Sequence, residues 1–212
     1  MVTNNIDFFQ LWPTVLAQKK LIDYEEPTRD LLKIARDMEK KNKNLTTDYI
    51  DSNPLNIDQL GSNWLRSEVN NIVIDYLKSV GINYAVDWQI HAWTSINRRG
   101  DYHDTHNHPH SYLSGSYYLK VPIKAPLRKN RKDLRPNHIT FYDPRPGVNM
   151  LSIKNDAYID PEFTLFPEPG LLLLWPGFLN HFVHPNLSDE TRISISFNIV
   201  LKWHDHYLPD QQ

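Results

Sequence analysis

The stretch RISISFNIVL, residues 192–201, indicates most directly which kind of fold this chain adopts. Apolar residues occupy every second position from Ile193 to Leu201, and polar residues alternate with them from Arg192 to Asn198. Because successive side chains of a strand point to opposite faces, this pattern predicts a strand with one apolar and one polar face. An arginine beside serines on so regular a strand suggests a buried anionic partner, since a guanidinium binds a carboxylate through two hydrogen bonds. The alternative is an edge strand whose Arg192 faces solvent.

Shorter segments of the same kind lie upstream, and each is bounded by Pro, Gly or Asn. They predict strands at 86–93, 113–121, 137–142, 148–153 and 170–175. Before them, apolar residues recur every three or four positions in 27–42 and in 63–81, which predicts two helices. The predicted fold class is therefore mainly β with flanking helices, in which the helices pack on a sheet-rich sandwich or barrel.

The composition narrows the domain organisation and the function classes. No repeat or change in composition divides the 212 residues, so we expect one domain over 1–212, mostly helical over 1–82 and with a β core over 83–203. A net charge of -2 gives no general attraction to nucleic acid or to anionic membranes, and neither partner is expected. The N-terminus lacks the features of a signal peptide, and no apolar run approaches the roughly 18 residues of a membrane span. We expect a cytoplasmic protein.

Histidines are concentrated in the segment GDYHDTHNHPHSYLSGSYYL, residues 100–119, which holds four of the ten in the chain. His106 and His108 are two positions apart, so in an extended segment both imidazoles can reach one point. The chain has no Cys, and a bound metal must therefore have nitrogen and oxygen ligands. Such a pair alone is a weak signal. We interpret the second pair, His204 and His206, as a surface or packing feature.

A candidate third ligand, His181, follows an apolar segment and a Pro-Gly turn. It precedes Arg192 in the sequence, which places a potential anion-binding cation shortly after a potential metal ligand. Imidazole nitrogen suits iron, zinc, copper or nickel.

Taken together, these segments resemble the Fe(II)- and 2-oxoglutarate-dependent oxygenases, and more closely the group of them found in phages and marine bacteria. The matching segments are LWPTV (11–15), GDYHDTHNHPHSYLSGSYYLKVP (100–122), FYDPR (141–145), FPEPGLLLLWPGFLNHFVHP (166–185) and ETRISISFN (190–198). The resemblance implies a double-stranded β-helix (a jelly-roll, cupin-like fold) with one iron ion. It also implies an enzyme, a hydroxylase in type, that couples oxidative decarboxylation of 2-oxoglutarate to oxidation of a small-molecule or peptide substrate.

The resemblance also implies roles for individual residues. His106, His108 and His181 would ligate iron. The distal carboxylate of 2-oxoglutarate would pair with Arg192, with help from Ser194 and Tyr118; a core aromatic on a strand is the alternative for Tyr118. We expect Trp93 and Asn97 to line the floor of the pocket.

The middle ligand position departs from the usual pattern of two histidines and one carboxylate, because it holds His108. Asp101 or Asp104 could supply the carboxylate if the loop folds back. His103 and His110 could contact the ligands or the substrate, or could be solvated loop residues.

Two other function classes stay open at this point. A cupin-like metalloenzyme that does not use 2-oxoglutarate would leave Arg192 and Ser194 without a purpose. A non-catalytic β-sandwich binding module would make the histidines incidental. The basic segment RKNRKDLRP (128–136) is typical of a solvated loop, with contact to an acidic substrate or nucleic acid as the alternative.

Overall fold

The computed structural model of the chain describes residues 12–42, 53–123, 131, 133–147, 153, 156 and 158–208. These residues form two α-helices, α1 (Glu25–Lys41) and α2 (Leu60–Ser79), and short 3-10 turns at Pro54–Asn56 and Asp205–Tyr207. Nine strands lie in the same described ranges: β1 (Ala17–Lys20), β2 (Trp88–Asn97), β3 (His103–His106), β4 (Leu113–Lys120), β5 (Ile139–Tyr142), β6 (Glu162–Leu165), β7 (Leu171–Pro176), β8 (His181–Val183) and β9 (Arg192–Leu201).

The strands form two antiparallel sheets that face each other. The major sheet has the order β1-β7-β4-β9-β2, and the minor sheet has the order β3-β8-β5-β6. Apolar side chains from both sheets meet in one cluster, for example Leu173 and Trp175 of the major sheet with Ile139 and Phe141 of the minor sheet. This arrangement is a double-stranded β-helix, and it confirms the predicted fold class.

The outer face of the major sheet is covered by the two helices. Leu31 of α1 and Leu65 of α2 are fully buried in one cluster with Ile195 and Phe197 of β9. Burial of apolar area at about 25 cal/mol per Å² makes this cluster the main source of stability of the helical layer. The helices thereby fix the back of the major sheet, and its other face is free to line the space between the sheets.

The strand β9 has the two faces that its sequence predicts. Its apolar residues point to the helices, and its polar residues point between the sheets, where Arg192 lies opposite Asn97 and Ser194 lies opposite Ser95 of β2. Arg192 is only 1% exposed. The alternative of a solvent-facing edge arginine is therefore wrong, and β9 is not an edge strand, because β2 and β4 flank it.

Several boundaries differ from the sequence prediction. The strand predicted at 86–93 runs instead over Trp88–Asn97, because its pairing with the long β9 extends it to the residue opposite Arg192. The sequence does not predict the strands β1, β3, β6 and β8, because each has only three or four residues, too few for a periodic pattern to distinguish a strand from a loop. The predicted strand at 148–153 lies outside the described residues except for Ile153, which is not in a strand.

The N-terminal part contributes a strand as well as helices, since β1 pairs with β7 of the major sheet. The extent of a single domain over 1–212 stays a prediction. Among the described helices, none is long and apolar enough to cross a membrane.

Candidate metal and co-substrate site

A pocket of about 290 Å³ opens between the two sheets, and both predicted groups of site residues line it. The major sheet contributes a polar wall of serine and asparagine side chains, Ser95, Asn97, Ser116, Ser194, Ser196 and Asn198. The minor sheet and its loops contribute histidines. Among the described lining residues the only side chain with a permanent charge is that of Arg192.

Three histidines converge in this pocket because of the pairing of two short strands. His106 ends β3 and His181 begins β8, and the two residues are direct partners across the sheet. Their ring centroids are 4.3 Å apart, and the ring of His108 lies 5.2 Å from each of them. One potential ligand atom from each of the three lies within 4.8 Å of the others. The described residues hold no second group of this kind.

In two of these histidines, a hydrogen bond to a backbone carbonyl determines which ring nitrogen is available to a metal ion. Nδ1 of His106 lies 2.5 Å from the Asp104 carbonyl oxygen, and Nδ1 of His181 lies 3.1 Å from the Leu179 carbonyl oxygen. A carbonyl only accepts, so each Nδ1 carries the proton and donates it. The Nε2 lone pairs are then available to a metal ion, an arrangement that is common for metal-binding histidines.

The position of His108 depends on a close approach of two loops. The His108 backbone N–H donates to the Gly177 carbonyl oxygen at 2.8 Å, and the Gly177 N–H donates to the Tyr112 carbonyl oxygen at 3.0 Å. A Cβ at Gly177 would overlap the Ser111 carbonyl oxygen and stand 3.1 Å from the His108 carbonyl oxygen. The turn after β7 can therefore hold the His108 loop only with a glycine at this position.

Burial keeps two of the candidate ligands, His108 and His181, uncharged. It lowers the pKa of His181 to about 3 and that of His108 to about 4, and the neighbouring imidazoles add to the effect. Neutral imidazole is the form that binds a metal ion. Three neutral nitrogen ligands are compatible with Fe(II) and with other divalent transition metals.

Arg192 is a buried cation that forms no salt bridge within the described residues, and Asp101 attracts it only from beyond salt-bridge distance. Its guanidinium donates to the His184 carbonyl oxygen at 3.0 Å and to Asn97 Oδ1 at 3.1 Å. Burial lowers its pKa to about 10, so it stays charged at neutral pH. A buried charge is costly unless it is paired, and these two neutral oxygens satisfy only part of its hydrogen-bonding capacity. The site therefore suits an anionic ligand.

Tyr118 and Ser194 lie next to this cation on the inner face of the major sheet. They are direct partners across β4 and β9, and both are almost fully buried. Burial raises the pKa of Tyr118 to about 12, so its hydroxyl is protonated and can donate to an anion. Their places next to Arg192 agree with the predicted anion-binding group.

The alternative carboxylate ligands do not join the histidines in the described structure. An oxygen of Asp101 accepts from the Arg98 N–H at 2.7 Å, and an oxygen of Asp104 accepts from the Thr105 N–H at 2.7 Å. Asp101 thus binds the backbone of its own loop, and Asp104 binds the backbone of its own strand, β3. His110 is exposed, as a loop residue would be.

Two further predictions concern the pocket floor and the second histidine pair. Trp93 and Asn97 line the pocket as predicted, and so does His103. His204 and His206 lie elsewhere, where His204 Nε2 is 2.9 Å from an oxygen of Asp87. Trp175 and Gly177 support the site although no sequence pattern predicts this role for them; Trp175 packs on His181 with ring centroids 5.0 Å apart. The Pro-Gly turn after β7 was the available signal for Gly177.

The protein is a double-stranded β-helix, and three histidines converge beside a buried arginine in one pocket. This combination is that of a class of metal-dependent proteins that bind an anion. Residues 91–198 match the family described as "Putative 2OG-Fe(II) oxygenase", which is just over half of the chain. The chain belongs to this family of 2-oxoglutarate- and Fe(II)-dependent oxygenases, and Fe(II) and 2-oxoglutarate are its cofactors. The predicted family and enzyme class are confirmed. Membership in the phage and marine bacterial group stays a prediction.

Solved structures support the fold. A Pseudomonas putida prolyl-4-hydroxylase is similar with a TM-score of 0.58 at 10% identity, over 89% of this chain and 88% of that chain. A Trichoplax adhaerens prolyl hydroxylase, in complex with a hypoxia inducible factor peptide fragment, gives 0.56 at 13% identity, over 87% and 83%. The α-ketoglutarate-dependent epimerase SnoN from nogalamycin biosynthesis gives 0.54 at 15% identity, over 87% and 76%. No curated protein sequence matches the chain significantly.

Proposed function

We propose that His106, His108 and His181 hold the Fe(II) ion and that Arg192, Ser194 and Tyr118 hold the distal carboxylate of 2-oxoglutarate. The observation that carries this proposal is the buried guanidinium of Arg192, which forms no salt bridge within the described residues and shares one pocket with the three histidines. A dicarboxylate that bridges the two groups would pair the cation and occupy the pocket. The tautomers of His106 and His181 further support the ligand assignment.

Fe(II) and 2-oxoglutarate supply the oxidation, in which O2 gives one oxygen atom to succinate and the other to the substrate, with release of CO2. The residues of this chain bind and orient the reactants. Arg192 and Tyr118 fix the far end of the co-substrate, and the serines beside them offer further hydrogen bonds. Burial of this end excludes water, which strengthens the ion pair. The histidines orient the near end of the co-substrate at the metal.

The pocket wall indicates the chemistry of the substrate. Apart from Arg192 and the histidines, the described lining residues are serine, asparagine, glycine, tyrosine, tryptophan and aliphatic side chains, without Asp, Glu or Lys. We therefore propose that the group to be oxidised is uncharged and that the reaction is a hydroxylation. Both a small molecule and a peptide fit this description. The described cations Arg131 and Arg135 of the basic segment contact Asp133 and Glu162, so this segment gives little support for a nucleic acid partner.

The first test is the binding of 2-oxoglutarate to an Arg192 series. A charge-assisted pair with a partly buried carboxylate contributes about 2–4 kcal/mol, so Arg192→Ala should weaken binding roughly 30- to 1,000-fold. Arg192→Lys should restore part of the affinity, because an ammonium keeps the charge but not the two parallel hydrogen bonds. Calorimetric titration measures both. Unchanged affinity in Arg192→Ala would refute the assignment of Arg192.

The second test is turnover. Wild-type protein with Fe(II) should convert 2-oxoglutarate to succinate slowly alone and faster with its substrate, which a panel of uncharged metabolites and peptides can reveal. A protein that binds metal but neither binds nor converts 2-oxoglutarate would contradict the proposal and favour a metalloenzyme that does not use this co-substrate.

A further inference from the structure

A chain of hydrogen bonds connects Arg192 to a histidine outside the metal group. One guanidinium nitrogen of Arg192 donates to Asn97 Oδ1 at 3.1 Å, and Asn97 Nδ2 lies 3.2 Å from His103 Nε2. Asn97 is 1% exposed, and all three side chains line the pocket. The proposed metal site and co-substrate contacts assign no role to Asn97 or His103.

The donors and acceptors that these three side chains carry determine the direction of both hydrogen bonds. A guanidinium has only donors, so the amide oxygen of Asn97 must face Arg192. The amide nitrogen of Asn97 therefore faces His103 and donates to it. His103 Nε2 then accepts, which places the ring proton of a neutral His103 on Nδ1. Rotating the amide by 180° would place two donors against each other at Arg192.

The surroundings hold the backbone of Asn97 beside Arg192. The side chain of Asn186 donates to the backbone carbonyl oxygen of Asn97 at 3.0 Å, and Asn186 is fully buried. Asn97 also pairs directly with Arg192 across β2 and β9. The sheet thus fixes where the Asn97 side chain starts, and its bonds to Arg192 and His103 set which way the amide faces.

The neutrality of Asn97 matters for the charge of Arg192. An aspartate here would have the same shape, but its carboxylate would lie at hydrogen-bonding distance from the guanidinium and would neutralise it within the protein. An asparagine holds the guanidinium in place and leaves its charge for a ligand. His103 also lines this pocket, and no described residue accepts a hydrogen bond from its Nδ1.

We propose that Asn97 is a positioning residue that holds Arg192 and fixes the tautomer of His103, so that His103 Nδ1–H is a second donor to the distal carboxylate of the co-substrate. This inference rests on the proposed function, because it needs 2-oxoglutarate in the pocket. Together the two donors make the pocket selective for 2-oxo acids that end in a carboxylate.

The test compares 2-oxoglutarate with 2-oxopentanoate, which has the same chain length and a methyl group in place of the distal carboxylate. Calorimetry on the Ni(II)-loaded protein gives the affinity for each without turnover. Wild-type protein should prefer 2-oxoglutarate by about 100-fold. In Asn97→Asp the preference should fall below about threefold, because the new carboxylate pairs with Arg192. Asn97→Ala removes the positioning contact but adds no charge, and should keep about a tenfold preference.

His103→Phe is an independent variant that keeps the ring shape and removes both nitrogens. It should lower the affinity for 2-oxoglutarate about tenfold and leave that for 2-oxopentanoate unchanged. Nickel stoichiometry of each variant confirms that the pocket is folded. A loss of preference that is greater in Asn97→Ala than in Asn97→Asp would show that Asn97 only fills space, and would overturn the inference. An unchanged affinity in His103→Phe would overturn the role of His103.

The failure of the proposed function gives a different result from the failure of this inference. If 2-oxoglutarate is not the co-substrate, the wild-type protein itself will show no preference between the two acids. If only the inference fails, the wild-type protein will prefer 2-oxoglutarate and Asn97→Asp will prefer it equally.

Discussion

The segments His106-Asn107-His108 and His204-Asp205-His206 have the same spacing, and their ring centroids are nearly as close, at 5.2 Å and 5.4 Å. In the first pair, the Nδ1 of His106 donates to a backbone carbonyl and its Nε2 is available to a metal. In the second pair, both Nε2 atoms have protein partners, an oxygen of Asp87 for His204 and the Ala85 carbonyl oxygen for His206.

The two pairs also differ in whether a third histidine lies beside them. The strand β8 brings His181 against the first pair, whereas no described Asp, Glu or His completes a metal-binding group with the second pair. Proximity of two imidazoles is therefore not enough for a metal site. The neighbouring strand and the choice of ring nitrogen make the difference, and the following predictions test each of these factors.

The largest effect is expected from His181→Ala. Removal of His181 should leave the first pair without a third ligand, as the second pair is, and stoichiometric binding of Fe(II) or Ni(II) should be lost. The double variant with His204→Ala and His206→Ala is the matched control, and it should keep one metal ion per chain. Metal analysis of tag-free protein measures both. Full occupancy in the His181→Ala variant would contradict the ligand assignment, as would loss of metal in the control.

The next largest effect concerns His108, where the chain departs from the usual two histidines and one carboxylate. His108→Ala should lose most of the iron and of the 2-oxoglutarate decarboxylation. His108→Asp should keep both, because it restores a carboxylate at the same place and adds negative charge next to Fe(II). Asp is shorter, so the bond to the metal would be longer or the ion would shift.

The neighbouring carboxylates provide the comparison for His108. Asp101→Asn and Asp104→Asn should keep their iron, because both side chains bind the neighbouring backbone and not the metal group. If one of these variants loses iron and His108→Ala does not, that aspartate is the third ligand. Iron content across the four variants decides the question.

A smaller effect is expected from Gly177→Ala, which changes no ligand. The added methyl group would overlap the Ser111 carbonyl oxygen and push the His108 loop away from His181. Misplacement of one ligand should weaken metal binding about 10- to 100-fold, as the loss of supporting contacts at metal sites typically does. Gly81→Ala is the control for glycine replacement, because no atom lies within 4 Å of the added Cβ. Gly81 has a positive φ, so this variant introduces backbone strain without a steric clash, and it should leave metal binding unchanged. Competition with a metal-sensitive dye measures the affinity.

The sequence predicts long, regular features of this molecule well and short or context-dependent ones poorly. The alternation of RISISFNIVL over ten residues predicted both faces of β9 and placed Arg192 on the polar one, but it left open whether that face is buried. In contrast, β3 has the sequence HDTH and β8 has the sequence HFV, and neither shows a period that distinguishes a strand from a loop. Their strand structure comes from pairing with each other, which is a tertiary effect.

The same distinction applies to the site. His106, His108 and His181 could be selected from residue type, spacing and the resemblance to the family. The backbone contact of Gly177 with the His108 loop and the contact of Asn97 with His103 both depend on segments that are distant in the sequence. Sequence spacing carries no information about which atoms of these segments face each other. The second histidine pair was correctly set aside, but its pairing with Asp87 could not have been predicted, because the two residues are 117 positions apart.

The smallest effect is expected from His204→Ala, which removes a contact of the second pair alone. The His204 and Asp87 side chains are 41% and 64% exposed, and exposed ion pairs of this kind contribute at most about 1 kcal/mol. We expect a change in the free energy of unfolding within about 0.5 kcal/mol, unchanged metal content and unchanged affinity for 2-oxoglutarate. Urea denaturation measures the first, with Asp87→Asn as the matched variant for the other side of the pair. A large loss of stability in both variants would mean that the C-terminal turn is essential to the fold, whereas a loss of metal in His204→Ala would show that the two histidine pairs are not functionally separate.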